Sequence, residues 1–292
     1  MRLAILIPDP GNPEDFAWAL DVEAAALRDA GATVDAIPWT TADDLKTYDL
    51  VLPLVVWGYH LRYAEWLSLL DRWERERLPV INPPSLLRWN SDKGYLHELN
   101  EAGIPSVPTI VCNNLTDADL DSARDEFGSN ELVVKPLVSA SAHGTHRLAA
   151  GASVPDDAKG RRMMIQPWLT RITDAGEYSL ILFDGVLSHC VSKVPKPGDF
   201  RVQPEYGSTI VDCPPPDGAE AIARMALAAA PAPATYARVD IVVGNDGELQ
   251  IIELELIEPA LYLDHSPTAG PAFARSILAS AERLAQQPLT QS

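Results

Sequence analysis

Arg238-Val239-Asp240-Ile241-Val242-Val243, then Gly244-Asn245-Asp246-Gly247-Glu248, then Leu249-Gln250-Ile251-Ile252-Glu253-Leu254-Glu255-Leu256 is the most informative stretch of the chain. An Asn-Asp-Gly turn between two apolar runs predicts a β-hairpin. Strand side chains alternate with a period of two, so Glu253 and Glu255 share a face of the second strand, and Arg238 and Asp240 share a face of the first. Pairing the strands brings three carboxylates and one guanidinium together. Like charges so close repel unless a cation neutralises them, and hard oxygen ligands suit Mg²⁺ or Mn²⁺ held together with nucleotide phosphates. The bland alternative is a solvated polar edge of a hairpin. Ile251, Ile252, Leu254 and Leu256 speak against it, because they belong in a packed sheet.

Toward the N-terminus, Leu132-Val133-Val134-Lys135-Pro136 is an apolar strand ending in lysine, followed by Leu137-Val138-Ser139-Ala140-Ser141-Ala142-His143-Gly144-Thr145. A lysine there can set its ammonium over phosphates, and a loop of Ser, Ala and Gly lets backbone N–H groups approach them. Read alone, a strand-final lysine is equally well a solvated charge. The pattern G-x-x-x-x-G-K-[ST] occurs nowhere, so this is not a Walker-A loop. Met163-Met164-Ile165-Gln166-Pro167-Trp168-Leu169 reads as a short strand reaching a hinge. A hinge backbone over Gln166, Pro167, Trp168 and Leu169 can read adenine, and Glu177, opening the next strand, can accept from a ribose hydroxyl. Lys93, in Asn90-Ser91-Asp92-Lys93, is a further candidate phosphate contact. Asn90 or Ser91 is a candidate cap for a helix ending at Gly103.

Residues 1–88 alternate strand and helix: strands over 3–7, 33–37, 50–57 and 79–81, helices over 13–30 and 64–77. That alternation predicts a small parallel α/β sheet, whose ligands sit at the carboxyl ends of the strands. No G-x-G-x-x-G follows the first strand, so this Rossmann-like domain is expected to supply substrate contacts rather than a dinucleotide site. Residues 9–16 and 57–60 lie at those strand ends, and Tyr178, His189 and residues 258–265 complete the expected substrate contacts. Residues 89–165 form a second unit, with a helix over 117–127, and residues 166–292 a strand-rich third unit, with helices near 220–230 and 271–286.

The chain has 292 residues, 47% of them hydrophobic and 22% charged, enough for two or three subdomains with a real core. Its formal charge of −18 and lack of clustered Lys and Arg argue against a nucleic-acid partner. No apolar run reaches the roughly 20 residues needed to span a bilayer, so no membrane role is expected. Cys112, Cys190 and Cys213 lack metal-ligand spacing and read as free thiols of a cytoplasmic protein. His143 and His189 read as hydrogen-bonding bystanders, His60, His97 and His265 carry less weight still, and Trp57, Trp66, Trp73 and Trp89 read as packing residues.

A lysine at the hinge, a strand-final lysine with a small-residue loop, Gln166-Pro167-Trp168-Leu169, Arg238-Val239-Asp240 and Glu253-Leu254-Glu255 stand in an order that resembles the ATP-grasp superfamily over nearly the whole chain. Asp184-Gly185-Val186-Leu187-Ser188-His189, Ser192-Lys193-Val194-Pro195-Lys196 and the run from Gly198 to Gly207 look like the glutathione synthetase and ribosomal-protein-modification ligase branch. They look most closely like the cyclo-ligases that form D-cycloserine from O-ureido-D-serine. The resemblance implies an ATP-grasp fold of α/β and α+β lobes: a pre-ATP-grasp domain (1–88), a small lobe or lid (89–165) and a C-terminal lobe with the metal site (166–292). It implies ATP and Mg²⁺ (or Mn²⁺) and a small amino-acid-like substrate. The carboxylate would be activated as an acylphosphate and attacked by an amine of a second molecule or of the same one. Arg201 is implied to contact phosphate or substrate, and Arg238 to stabilise the oxyanion. Where the family commonly reads Glu-x-Asn, this chain has Glu255 in the second position. A non-catalytic ATP-binding protein and a small-molecule kinase are the alternatives. Related ligases are often dimers or tetramers, but no interface pattern is legible.

Overall fold

The structure is a computed structural model that describes residues 1–12, 15–140, 142–194, 196 and 207–286, and the backbone alone of Asp174. The N-terminal sheet has the order β2 (Thr33–Pro38), β1 (Arg2–Ile7), β3 (Leu50–Leu52), all parallel. Because β1 is central, both of its faces are covered, which is why its sequence is a continuous apolar run. Leu3 and Ile5 pack with Ala24 and Leu27 of helix α1 (Ala17–Asp29), while Ala4 and Leu6 meet Trp66, Leu70 and Trp73 of α2 (Tyr63–Glu76). Three boundaries differ from expectation. Strand β3 stops at Leu52, since Pro53 cannot donate to the ladder. Helix α1 begins at Ala17 rather than near residue 13. Residues 79–81 make only a bridge from Val80 to Val51 instead of a fourth strand.

Two short helices follow, α3 (Pro84–Asn90) and α4 (Tyr95–Glu101). The next sheet is antiparallel, of order β4 (Ile110–Cys112), β7 (Met163–Pro167), β5 (Leu132–Pro136), β6 (His146–Leu148). One face of it is covered by α5 (Asp117–Phe127), which opens on a capping box between Thr116 and Asp119 and ends at the left-handed Gly128. The C-terminal lobe holds α6 (Ile172–Ala175) and α7 (Ala219–Ala229). Its antiparallel sheet has the order β10 (Thr209–Asp212), β9 (Val186–Val194), β8 (Glu177–Phe183), β11 (Tyr236–Val243), β12 (Leu249–Glu255). The last described element is α8 (Ala269–Gln286), whose Phe273 and Ile277 share one core with β1, α1, Ile181 and Phe183.

Strand β12 is a sheet edge, and the region between α3 and β4 covers it. Asn90 donates to Leu254 O (2.6 Å) and accepts from Leu256 N (2.8 Å), and the Tyr95 hydroxyl meets both Leu254 O and Leu254 N at 3.0 Å. Val107 N–H donates to Ile251 O, and Ile251 N–H to Pro105 O. Neither Asn90 nor Ser91 is a helix N-cap, contrary to the sequence expectation. Asn90 ends α3 with its amide spent on the edge, and Ser91 is that helix's C-cap. The Asn90 and Tyr95 side chains and the backbone of residues 105–107 thus occupy edge groups that would otherwise be open to another chain. No described helix is long and apolar enough to cross a membrane.

Candidate active site

The hairpin forms with Arg238 opposite Glu255 and Asp240 opposite Glu253, and a bulge follows Asp240. One carboxylate oxygen from each of Asp240, Glu253 and Glu255 lies within 4.8 Å of the others. Strand β11 is flanked on both sides, so Asp240 is buried, whereas Glu253 and Glu255 on the edge strand remain partly open to an incoming ligand. Arg238 donates to Asp240 through Nε and Nη2, both at 3.0 Å, and Nη2 also meets Glu255. Ser179, opposite Asp240 on β8, donates to Asp240 Oδ1 at 2.5 Å.

Burial pushes the Glu255 carboxyl up to about 7, with Glu253 and Asp240 adding to the rise against the pull of Arg238. Burial acts the same way on Asp240, but Arg238 and Lys193 outweigh it and hold the group well below the usual carboxylate range. For Glu253 the cost of burial is outweighed by Lys93, so its pKa is lowered. The cluster is therefore short of positive charge at Glu255. Three hard-oxygen donors with one left under-neutralised are a donor set that fits a divalent cation such as Mg²⁺.

Around this cluster the fold brings most of the predicted residues to one cleft between the four-stranded sheet and the C-terminal sheet. It is lined by Lys93, Lys135, Ser139, the hinge from Gln166 to Leu169, Glu177, Ile252 and Glu253. Lys93 Nζ lies 2.7 Å from Glu253 Oε1. Burial, assisted by neighbouring Lys93, lowers Lys135 to about 8. The loop after β5 folds back on itself: Ala142 and Gly144 both have positive φ, and a Cβ on Gly144 would come 2.9 Å from Pro136 Cγ. The Ser139 hydroxyl donates to Pro136 O. In the hinge, Gln166 spends its side-chain amide on Thr109, and Trp168 has N–H bonded to Glu131 O and C=O accepting from Asn245. Ser141 and Arg201 lie outside the described residues.

Sequence reasoning missed Lys193. Directly opposite Glu177 in the β8/β9 register, its buried Nζ is 2.7 Å from Glu177 Oε1 and 3.4 Å from Asp240 Oδ2. It ties Glu177 to Asp240. The signal was available, because a lysine within Cys190-Val191-Ser192-Lys193-Val194 is out of place in a strand unless an acid faces it. Beyond Arg238, residues 258–265 cross the sheet. The guanidinium donates to Ala260 O (3.4 Å) and stands 5.9 Å from the Tyr262 ring. Of the residues discounted from sequence, His189 holds that crossing segment through Leu261 O, and His60 faces His143 of the loop after β5 with ring centroids 6.4 Å apart. Trp66 and Trp73 are fully buried.

Residues 5–82 match the family described as D-cycloserine synthetase DcsG, N-terminal domain. Over 281 residues the chain is 31% identical to the cycloserine biosynthesis protein DcsG of Streptomyces lavendulae, covering 89% of this chain and 91% of that one. The chain belongs to the D-cycloserine synthetase family of ATP-grasp ligases. The crystal structure of D-cycloserine synthetase DcsG superposes with a TM-score of 0.83 at 29% identity, covering 97% of this chain and all of that one. D-alanine–D-alanine ligase of Bacillus anthracis, solved with ATP, shares the fold with a TM-score of 0.70 at 17% identity, covering 97% of this chain and 98% of that one. As a member of the family, the chain is an ADP-forming ligase that activates a carboxylate with ATP for attack by nitrogen, forming a C–N bond. ATP-grasp ligases use ATP with a divalent metal, and relatives in this family act on small amino-acid-like substrates.

Proposed function

We propose that this ligase closes a ring within one small amino-acid-like molecule, joining its ATP-activated carboxylate to a nitrogen of the same molecule, as a cyclo-ligase of O-ureido-D-serine does. The observation that carries the reading is the convergence of Asp240, Glu253 and Glu255 beside Lys93, Lys193 and Arg238. Its ring-closing form is supported by the match at residues 5–82, since the strand ends of that domain face the substrate. The working units are the pre-ATP-grasp domain (1–88), the lid (89–165) and the metal-bearing lobe (166–292).

Asp240, Glu253 and Glu255 hold Mg²⁺, which when bound neutralises phosphate charge. Lys93 and Lys135 hold the phosphates, with Ser139, Ser141 and the loop backbone closing over them. Lys193, already between the hinge and the metal acids, adds a third ammonium. Adenine is read by the hinge, where the engaged Trp168 backbone leaves the task to its neighbours, Leu169 foremost. Glu177 keeps Oε2 for a ribose hydroxyl while Oε1 accepts from Lys193. Arg201 meets phosphate or substrate. Arg238, fixed by its Nε and Nη2 on Asp240, offers a pre-oriented guanidinium to the oxyanion, and such groups act without reorganising. The protein's contribution is positioning and charge neutralisation.

The test is ADP release with O-ureido-D-serine, D-serine, D-alanine and their L forms, comparing wild type with Glu253→Gln at fixed Mg²⁺. One substrate stimulates ADP formation, and Glu253→Gln lowers it about a hundredfold, ~2.7 kcal/mol of transition-state stabilisation. An unchanged rate in Glu253→Gln overturns the metal assignment. A stable phosphorylated product makes the protein a kinase, and ATP binding without turnover makes it a non-catalytic binder.

A further inference from the structure

C–N bond formation requires that the attacking nitrogen lose a proton, and the cations around the phosphates cannot take it. The residues 260–265 cross the face of the C-terminal sheet that carries Arg238, pinned at three strands in turn. On β11 Arg238 donates to Ala260 O, on β9 His189 Nε2 bonds Leu261 O at 3.1 Å, and at the end of β10 Asp212 Oδ1 lies 2.5 Å from His265 Nδ1. Arg238 and His189 lie in one row, since both pair across Ile181 of β8. Tyr262 neighbours both the guanidinium and the imidazole, its ring 5.9 Å from Arg238 Cζ and 5.7 Å, edge to face, from the His265 ring.

The chemistry of the two histidines differs. His189 has Nε2 on a carbonyl and Nδ1 on Ser188 Oγ, so both nitrogens are occupied and it holds the segment in place. His265 has a carboxylate on Nδ1. A carboxylate only accepts, so the neutral imidazole carries its proton on Nδ1 and leaves the Nε2 lone pair, which bonds no described residue, to accept another. An acid that fixes the tautomer of a base is the arrangement general-base catalysis needs. The Asp212 side chain is 64% exposed and that of His265 25%, so the dyad is open to solvent and a proton taken up there can pass on to water.

We propose that His265, oriented by Asp212, is the general base that takes the proton from the attacking nitrogen. In that step the nitrogen lone pair forms the C–N bond, the C–O bond to phosphate breaks, phosphate leaves with the electron pair, and the proton passes to His265 Nε2. The proposal rests on the ligase reading above and adds the residue that completes its second half.

The test separates the two halves in the full-length protein with ATP and Mg²⁺, on whichever of O-ureido-D-serine, D-serine and D-alanine supports ADP formation by the wild type. Three quantities are followed for wild type, His265→Gln and Asp212→Asn: ADP, C–N product, and acylphosphate trapped by hydroxylamine as the hydroxamate. His265→Gln keeps ADP formation and hydroxamate within a few fold of wild type, while product per ADP falls by roughly 10²–10⁴. Asp212→Asn, acting through His265, lowers the same ratio by less, and free imidazole restores part of it in His265→Ala. Continued ADP formation shows that the variants fold. Product per ADP unchanged in His265→Gln, or ADP and product falling together, overturns the dyad as base. A wild type that yields no hydroxamate and no ADP on any of the three overturns the ligase reading instead.

Discussion

Two lysines in the cleft give opposite tests of what burial does to an ammonium. Lys135 is lowered to about 8, first by burial and then by Lys93, so above that pH it is increasingly neutral in the free protein. Bound phosphate favours the charged form. Nucleotide affinity is therefore expected to fall about tenfold per pH unit above 8, with proton uptake on binding. Calorimetry in buffers of different ionisation enthalpy measures both, and a flat affinity between pH 7 and 9.5 would contradict the burial of that group. Lys193 is raised instead, because Asp240 and Glu177 outweigh burial and Arg238. Lys193→Met leaves two buried carboxylates facing each other and should cost about 3–5 kcal/mol. That lowers Tm on the order of 10 °C. Adding Glu177→Gln should recover part of the loss in thermal melts, and a Lys193→Met protein melting with the wild type would refute the pairing.

The strands that carry these residues are held in register at one glycine. Gly176 has a φ of +71°, and a Cβ there would come 2.5 Å from the backbone oxygen of Lys193. Gly176→Ala must push β8 off β9 at the Glu177–Lys193 pair, losing roughly 1–3 kcal/mol beyond left-handed strain, and nucleotide affinity should fall with it. Gly185 has a similar φ of +74° but open space around it, so Gly185→Ala carries only the strain and leaves affinity unchanged. Equal melting temperatures and equal affinities for the two variants would show that β8 and β9 are not held at this point. Much at this scale was legible. The Asn-Asp-Gly turn gave the hairpin, and the helix expected over 117–127 is α5. Helix α3 was not legible, because Asn90 and Ser91 read as the cap of a following helix until β12 arrives to claim the Asn90 amide.

Across the whole molecule, the N-terminal sheet and the C-terminal lobe share a core through α8. Glu23 of α1 is buried there, its Oε2 bonds no described atom, and burial raises its pKa well above the ordinary 4.5. A carboxyl raised in the folded state destabilises once pH passes its unfolded value, and the penalty grows up to the folded pKa. Glu23→Gln is therefore expected to melt with the wild type near pH 4 and above it near pH 8, by about 2–4 °C per kcal/mol relieved. Melting curves at the two pH values decide this, and a lower Tm for Glu23→Gln at pH 8 would reveal a partner for the carboxylate. By itself the sequence determined that strands over 238–243 and 249–256 pair and that three acids share a face, because the period of two and the turn residues are local properties. It also placed the strand-final lysine and the hinge. Only the tertiary structure decided which cations neutralise those acids and which residues seal β12. The same holds for the meeting of His265 with Asp212, 53 residues away. Those contacts follow from strand order and from chain crossing a sheet face, which no local periodicity encodes.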